Sequence, residues 1–237
     1  MYSVGLDFLN YLINLNSIEG NYLFMFGIRS INTASSCKFT EMEIKQVIFG
    51  SLLGDGKLEF QPRAKNARFG FIQSLEHEPY FLMVWNILSH FTSSNYKVYN
   101  YLDERTGKKY SSLHFRTKAL PLFTEFWYMF YLNRKKIIPV DLTLFTPLAL
   151  AHLLMQDGSF GTSGGIYICT DAFSPEDTQR LANELSIRYG LSCSTPKAPG
   201  KGLGGGKRIY IFTRSRTKLQ ELVLPFMHPS MLYRIGL

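Results

Sequence analysis

An internal repeat constrains this chain more than any other feature. Thr40-Glu41-Met42-Glu43 has the form of a capping box and opens a helix. Its apolar residues Ile44, Val47, Ile48, Leu52 and Leu53 fall at helical spacing, and it stops at Gly54-Asp55-Gly56. Thr146-Pro147, an N-cap with proline at the first helical position, opens a second such helix that stops at Gln156-Asp157-Gly158. After the first helix, residue patterning predicts two strands within Lys57–Gln73 joined near Pro62, then a helix over Tyr80–Phe91. Strands near Tyr96–Leu102 and Tyr110–Arg116 follow, with a turn at Glu104–Lys108, and then an aromatic helix over Ala119–Leu132. After the second, it predicts strands near Gly165–Thr170, a helix from Ser174-Pro175 to Tyr189, strands at Ser192–Lys197 and Arg208–Thr213, and a last helix. Arg116-Thr117-Lys118 recurs as Arg216-Thr217-Lys218, 61 residues from the helix-end aspartate in one half and 59 in the other.

These elements predict an α+β fold of tandem αββαββα repeats, arranged as a pseudo-twofold monomer with curved antiparallel sheets. Three segments follow: an N-terminal lead-in at 1–39, a first repeat at 40–139 and a second at 140–237. Within the lead-in, Asp7–Leu15 reads as a short helix and 30–36 as a tether. The aromatic run Phe126-Trp127-Tyr128 reads as core.

The 237 residues carry 26 Lys and Arg against 18 Asp and Glu, a net charge of +8. That excess points to a polyanionic partner, nucleic acid before membrane. Three cysteines with no CxxC exclude both a disulfide framework and a cysteine zinc site. No apolar run is long enough to span a bilayer, and the start lacks the features of a secretory signal. Gly200–Gly205 matches GxGxxG but precedes a strand, so it reads as a hairpin tip and not as a nucleotide loop.

The two helix ends carry the chemistry. A glycine just past a helix end ordinarily takes the left-handed conformation that stops it. A carboxylate there opposes the helix dipole, at a cost of about 0.3–1 kcal/mol. Two of them in equivalent places imply a compensating cation. If the two helices pack along the pseudo-twofold, Asp55 and Asp157 converge on one site suited to a hard divalent cation, Mg²⁺ above all. Gly50 and Gly54, four apart, allow a partner helix to approach closely, whereas the second copy has His152 and Gln156 at those places. His152 reads as an interface residue and not as a ligand.

Ile48-Phe49-Gly50-Ser51-Leu52-Leu53-Gly54-Asp55-Gly56 and Leu150-Ala151-His152-Leu153-Leu154-Met155-Gln156-Asp157-Gly158 resemble the paired motifs of a LAGLIDADG homing endonuclease of the single-chain type. The resemblance covers about Thr40 to Leu237. It implies a monomeric, site-specific DNA endonuclease that cuts both strands of a long asymmetric target and promotes intron mobility. The metal set it implies is Asp55 and Asp157, with Gly54 and Gln156 beside them. Mg²⁺ would serve, with Mn²⁺ as a substitute and Ca²⁺ binding without supporting cleavage. Asn133-Arg134-Lys135-Lys136-Ile137-Ile138-Pro139 and Pro229-Ser230-Met231-Leu232-Tyr233-Arg234 resemble the family's basic segments, which places a catalytic role on Lys136 and Arg234. Arg234 stands where a lysine is usual; it stays charged, so it can stabilise a phosphorane but not move a proton.

Gln73, with Ser74, is the first-half candidate for positioning the attacking water; Thr170 and Asp171 are the second-half candidates. DNA contacts fall on Arg63, Lys65, Arg68, Lys97, Arg105, Lys108, Lys109, Arg116 and Lys118 in the first half. In the second they fall on Lys197, Lys201, Lys207, Arg208, Arg214, Arg216 and Lys218. Two alternatives stay open: a maturase acting on its own intron RNA, and an inactive DNA-binding relative. No membrane and no small-molecule cofactor is expected. Abundant Asn, Tyr, Phe and Leu, taken with the resemblance, suggest a mitochondrial intron product made in the organelle.

Overall fold

In the computed structural model, which describes residues 39–198 and 206–237, Thr40 opens the first helix with a closed capping box. Its hydroxyl accepts from the Glu43 amide at 3.2 Å, and the Glu43 carboxylate accepts from the Thr40 amide at 2.8 Å. This helix, α1, is Glu41–Leu53, and every residue from Val47 to Leu53 is buried. That is more than one amphipathic stripe requires, so its C-terminal half is covered all round. Its counterpart α4, Pro147–Asp157, is buried from Leu148 to Gln156 and is capped by the Thr146 hydroxyl.

The two helices cover each other. A Cβ on Gly50 would lie 2.2 Å from the Ala149 carbonyl oxygen, so the backbones touch where only hydrogen fits. Near the start of the pair the Thr146 hydroxyl donates to Gln46 Oε1 at 2.8 Å. At the far end Gly54 meets Gln156. The contacts advance in the same direction along both helices, so they run parallel and end together.

Each half then builds a four-stranded antiparallel sheet. The first contains β1 (Lys57–Glu59), β2 (Arg68–Ser74), β3 (Lys97–Asp103) and β4 (Lys108–Arg116), in the order β1-β2-β4-β3. Helix α2 (Glu78–Leu88) lies between the strand pairs in sequence and α3 (Pro121–Phe130) follows them. After the short strands β5 (Tyr131–Leu132) and β6 (Lys135–Lys136), the second half has β7 (Gly158–Phe160), β8 (Ile166–Ile168), β9 (Cys193–Ser194) and β10 (Ile209–Ile211), in the order β7-β8-β10-β9. Helices α5 (Pro175–Tyr189) and α6 (Arg216–Val223) complete it. Both halves therefore read αββαββα.

The inner faces follow strand alternation. Phe69, Phe71, Leu113 and Phe115 pack on Phe81 and Phe123 in the first half; Ile166, Ile168, Ile209 and Ile211 pack near Leu181 and Leu185 in the second. Aromatic rings fill the larger core, and branched aliphatics suffice under the shorter strands.

Several sequence expectations shift. The helix expected over Ala119–Leu132 ends at Phe130, because Tyr131–Leu132 pairs with Lys135–Lys136. Asn133 (φ 51°) and Arg134 (φ 62°) make the two-residue turn, the left-handed geometry that matches strand twist. Asparagine takes it readily, whereas arginine does so at about 1–2 kcal/mol. Tyr131 anchors the hairpin by accepting from the Leu58 amide at 3.2 Å and by stacking on Trp127 with centroids 4.2 Å apart. Of the aromatic run, Phe126 is core and Trp127 half-buried, but Tyr128 is 73% exposed.

The left-handed glycine expected at each motif end is not found. Neither Gly56 nor Gly158 has a positive φ, Gly158 lying at φ −73°; α4 runs straight into a strand, and α1 closes through a turn at Gly54-Asp55 before its strand begins at Lys57. Crowding keeps Gly158 free of a side chain: a Cβ there would lie 2.3 Å from the Leu154 carbonyl oxygen.

The connection between the halves is gripped by α5. The Arg180 guanidinium donates to the carbonyls of Ile138 and Pro139, and Arg188 donates to Leu142 and Phe145 at 2.9 and 3.0 Å. No helix among the described residues is long and apolar enough to cross a membrane. The helix expected at Asp7–Leu15, the tether at 30–36, and the glycine-rich tip with Lys201 lie outside the described residues.

Candidate active site

The shared C-terminal end of α1 and α4 carries the two motif aspartates. Asp55 follows Gly54 and is exposed. Its amide donates to Gln156 Oε1 at 2.7 Å, and its Oδ2 accepts from Gln73 Nε2 at 2.6 Å. Asp157 is the last residue of α4, and its carbonyl accepts from the Cys169 amide at 2.9 Å. Burial pushes the Asp157 carboxyl up to about 7, helped by the negative charge of Asp55 and resisted by Lys136 and Arg234. Two carboxylates are thus close enough to disfavour each other's charge.

A basic side chain from each half answers the helix-end problem. Lys136, presented by the β5–β6 hairpin, donates from Nζ to the Gly54 carbonyl at 2.8 Å and the Gly56 carbonyl at 2.9 Å. Arg234, on the 3₁₀ turn Pro229–Ile235, donates from NH1 to the Gly158 carbonyl at 2.9 Å. Both therefore engage carbonyls beside a motif aspartate, where positive charge offsets the dipole. Burial brings Lys136 down to about 8 against the pull of Asp157 and Asp55.

Gln156 ties the helix pair to the site. Besides accepting from the Asp55 amide, it donates from Nε2 to the Tyr80 hydroxyl at 2.7 Å and to Ser51 Oγ at 3.2 Å. Tyr80 also pairs with His152 Nδ1 at 3.1 Å. Burial raises the Tyr80 phenol and drives the His152 imidazole down to about 3, so this network is neutral throughout. His152 is an interface residue. Tyr80 and Ser51 carry no signal in the sequence, because each looks like ordinary helix content.

The two halves are not equivalent around their aspartates. Register pairs Lys57 with Gly70 and Ser159 with Tyr167, which makes Thr170 the counterpart of Gln73 and Asp171 that of Ser74. Yet the Thr170 hydroxyl donates to the Lys207 carbonyl at 2.7 Å, and Asp171 receives a bidentate pair from Arg208, both contacts at 2.9 Å. Ser74 accepts from the Glu76 amide at 3.4 Å and acts as a turn cap. Gln73, by contrast, bonds directly to a motif carboxylate, that of Asp55.

The recurring Arg-Thr-Lys triplet also dissolves. Gly70 pairs with Arg116 and Tyr167 with Tyr210, so Tyr210, and not Arg216, stands opposite Arg116 in the repeat. The strands of the second sheet are shorter, and the triplet has slipped onto α6. Lys218 lies against Gly190 at the C-terminus of α5, away from the sheet, where a helix end favours an ammonium.

The basic residues of the first half do gather on its sheet. Lys57, Arg68 and Arg116 share the outer face and converge on Glu59, with closest contacts of 3.3, 2.6 and 3.3 Å. Burial would raise the Glu59 carboxyl, but Arg68, Lys57 and Arg116 together hold it below the usual range. Lys97, Arg105, Lys108 and Lys109 are exposed on the β3–β4 hairpin, Arg63 and Lys65 on the β1–β2 loop, and Lys118 just past β4. In the second half the outer face carries Tyr167 and Tyr210, 4.6 Å apart, with Ser159 and Ser194. Its cations sit at the margins: Lys197 and Lys207 pair through their backbones in an isolated antiparallel bridge, Arg214 lies over Phe212, and Arg216 donates to the Gly164 carbonyl.

A family model described as the LAGLIDADG DNA endonuclease family matches residues 45–219. DNA endonuclease I-ChuI of Chlamydomonas applanata is 30% identical over 204 residues, covering 81% of this chain and 94% of that protein. The cytochrome b mRNA maturase bI2 of Debaryomyces hansenii is 28% identical over 200 residues, covering 83% and 74%. The solved structure of the homing endonuclease I-WcaI bound to its DNA recognition sequence superposes with a TM-score of 0.74 at 23% identity, covering 94% of this chain and 96% of that one, and so has the same fold. The family match extends over well more than half the chain, and with the paired helices and duplicated sheets it means that the protein belongs to the LAGLIDADG DNA endonuclease family.

Proposed function

We propose that this DNA endonuclease makes a double-strand cut at a long asymmetric site, each of two repeats, 40–139 and 140–237, supplying half of the centre. The observation that carries this reading is the meeting of Asp55 and Asp157 at the end of one parallel helix pair, with Lys136 and Arg234 beside them. Among the described residues no cluster of three or more His, Cys, Asp or Glu is present. Two carboxylates with backbone carbonyls form a hard-oxygen donor set, and their mutual repulsion is what a divalent cation relieves. Asp55 and Asp157, with the carbonyls of Gly54 and Gln156, would hold Mg²⁺ or Mn²⁺. Bound there, the metal would polarise the phosphate and lower the pKa of a water.

The side chains around it divide the remaining work. Gln73 orients the nucleophilic water at the first-half aspartate. Lys136, close to neutrality, can both stabilise phosphorane charge and carry a proton, whereas Arg234 only stabilises. The basic face of the first sheet anchors phosphates, and the tyrosine face of the second offers hydroxyls and rings. Two chemically different faces suit an asymmetric target. Likeness to cytochrome b mRNA maturases supports a mitochondrial, intron-encoded origin. The same likeness favours a second reading, in which the basic surfaces hold intron RNA.

Glu59 sets how much of the first sheet's charge is available. Glu59→Gln releases three cations toward DNA, so non-specific affinity should rise roughly tenfold and the salt slope should steepen by about one. Fluorescence anisotropy against KCl concentration reads both; an unchanged slope would mean that Glu59 does not restrain them.

The function is tested on a plasmid library carrying randomised and intron-insertion sequences, with Mg²⁺ and then Ca²⁺. Discrete double-strand cuts in Mg²⁺, and specific binding without cutting in Ca²⁺, are expected. Binding with no cutting under any divalent metal would move the assignment to a maturase or an inactive descendant.

A further inference from the structure

Gln73 does not stand alone. Its Oε1 faces His77 Nδ1 at 3.3 Å, and His77 Nε2 faces the Tyr233 hydroxyl at 3.2 Å. Because Gln73 Nε2 donates to Asp55, its Oε1 must accept, so His77 Nδ1 carries the proton and Nε2 accepts from Tyr233. One directional chain results: Tyr233 to His77 to Gln73 to Asp55. It starts in the second half, one residue before Arg234, and ends on the aspartate of the first.

We propose that His77 is a positioning residue that fixes the amide orientation of Gln73, and that Tyr233 makes this orientation depend on docking of the second half's C-terminal turn. The proposal rests on the nuclease reading above. A primary amide has two nearly isosteric orientations, and only one offers N–H to Asp55. Remove the donor at Nδ1 and the bias disappears. Remove the Tyr233 hydroxyl and the His77 tautomer is no longer fixed, so Nδ1 can lose its proton and present a lone pair to Oε1. Burial, with Arg234 nearby, keeps the His77 ring below the usual histidine range and therefore neutral near pH 7.5. Thr170, the counterpart of Gln73, is bonded to the Lys207 carbonyl. The relay thus serves one half-site, and its loss should slow one strand.

The experiment is strand-resolved, single-turnover cleavage of a target the wild type cuts, with DNA affinity measured separately in Ca²⁺. His77→Ala should slow one strand about tenfold, leave the other within about twofold, and leave affinity unchanged. His77→Asn, whose Nδ2 can occupy the place of Nδ1, should recover most of that loss, and Tyr233→Phe should slow the same strand. His77→Ala should add nothing on a Gln73→Ala background. Equal slowing of both strands, additivity with Gln73→Ala, or no effect of His77→Ala would overturn the proposal. A wild type that cuts no DNA would instead count against the nuclease reading. The relay is then read from the ¹⁵N shifts of His77: an Nδ1–H tautomer upholds it, and Nε2–H overturns it.

Discussion

Gly50→Ala unfolds the protein or leaves it too unstable to purify, although alanine is the best helix former and replaces glycine in the body of a helix. Elsewhere in a helix that exchange gains about 1 kcal/mol. Here the new methyl would lie 2.2 Å from the Ala149 carbonyl oxygen and 2.8 Å from its carbon, both backbone atoms. Neither can rotate away, so α1 and α4 must separate along their length. Separation opens the most deeply buried part of the fold and costs at least about 3 kcal/mol. Gly54→Ala is the informative contrast. Its methyl meets Gln156 Oε1 at 2.6 Å, the end of a side chain that can turn aside, and Gln156 Cβ at 3.0 Å, which yields to a shift of a few tenths of an ångström. The fold should survive with a loss of about 2–3 kcal/mol, the cost of disturbing the bonds of Gln156 to the Asp55 amide, Tyr80 and Ser51. Thermal melts of the two variants side by side check the difference; equal melting temperatures would show that the helix pair is not held by this contact.

Asp157→Asn separates stability from activity. Cleavage should fall at least about 10³-fold, or roughly 4 kcal/mol of transition-state stabilisation, because the proposed metal site loses a charged ligand. The metal-free protein should become more stable. In the folded protein the Asp157 carboxyl titrates near 7, above its ordinary value of 3.8. Its carboxyl therefore favours folding in acid, and that contribution drains away as pH rises from about 4 to about 7. Asparagine carries no charge to bury. In EDTA at pH 8 the variant should gain about 1–2 kcal/mol, or roughly 2–8 °C in Tm, and at pH 4 the gain should vanish. Differential scanning calorimetry at both pH values measures it. A variant less stable than wild type at pH 8 would mean that the aspartate is held by its surroundings and not strained by them.

Much of this was legible in the chain, and the rest was hidden for identifiable reasons. Thr40, Thr146-Pro147 and Ser174 mark helix starts because a cap is a local matter between neighbours. Gly50 marks a close helix approach, since glycine mid-helix needs a reason, and Gly54 continues the same face at the helix's C-cap. The misreadings are all long-range. The β5–β6 hairpin beat the helical pattern through Tyr131, whose partner Leu58 is 73 residues away. Glycines taken for left-handed stops are required by crowding instead, which only packing reveals. The Arg-Thr-Lys recurrence was a coincidence of spacing, visible as such once the registers put Tyr210 opposite Arg116. Lys136 and Arg234 came from motif likeness, but that each engages carbonyls at a helix end could not be read from order alone. The sequence shows no role for the side chains of His77, Tyr233 and Tyr80, because a single polar residue on a helix or turn has no pattern to betray it.

The most direct test of the central claim, that one catalytic centre is shared by the two helix ends, is cleavage of a cognate target by Asp55→Asn and by Asp157→Asn. Target affinity is followed in Ca²⁺. Each single substitution should abolish double-strand cutting while specific DNA binding persists. A variant that still cuts both strands at the wild-type rate would show that its aspartate lies outside the reacting centre.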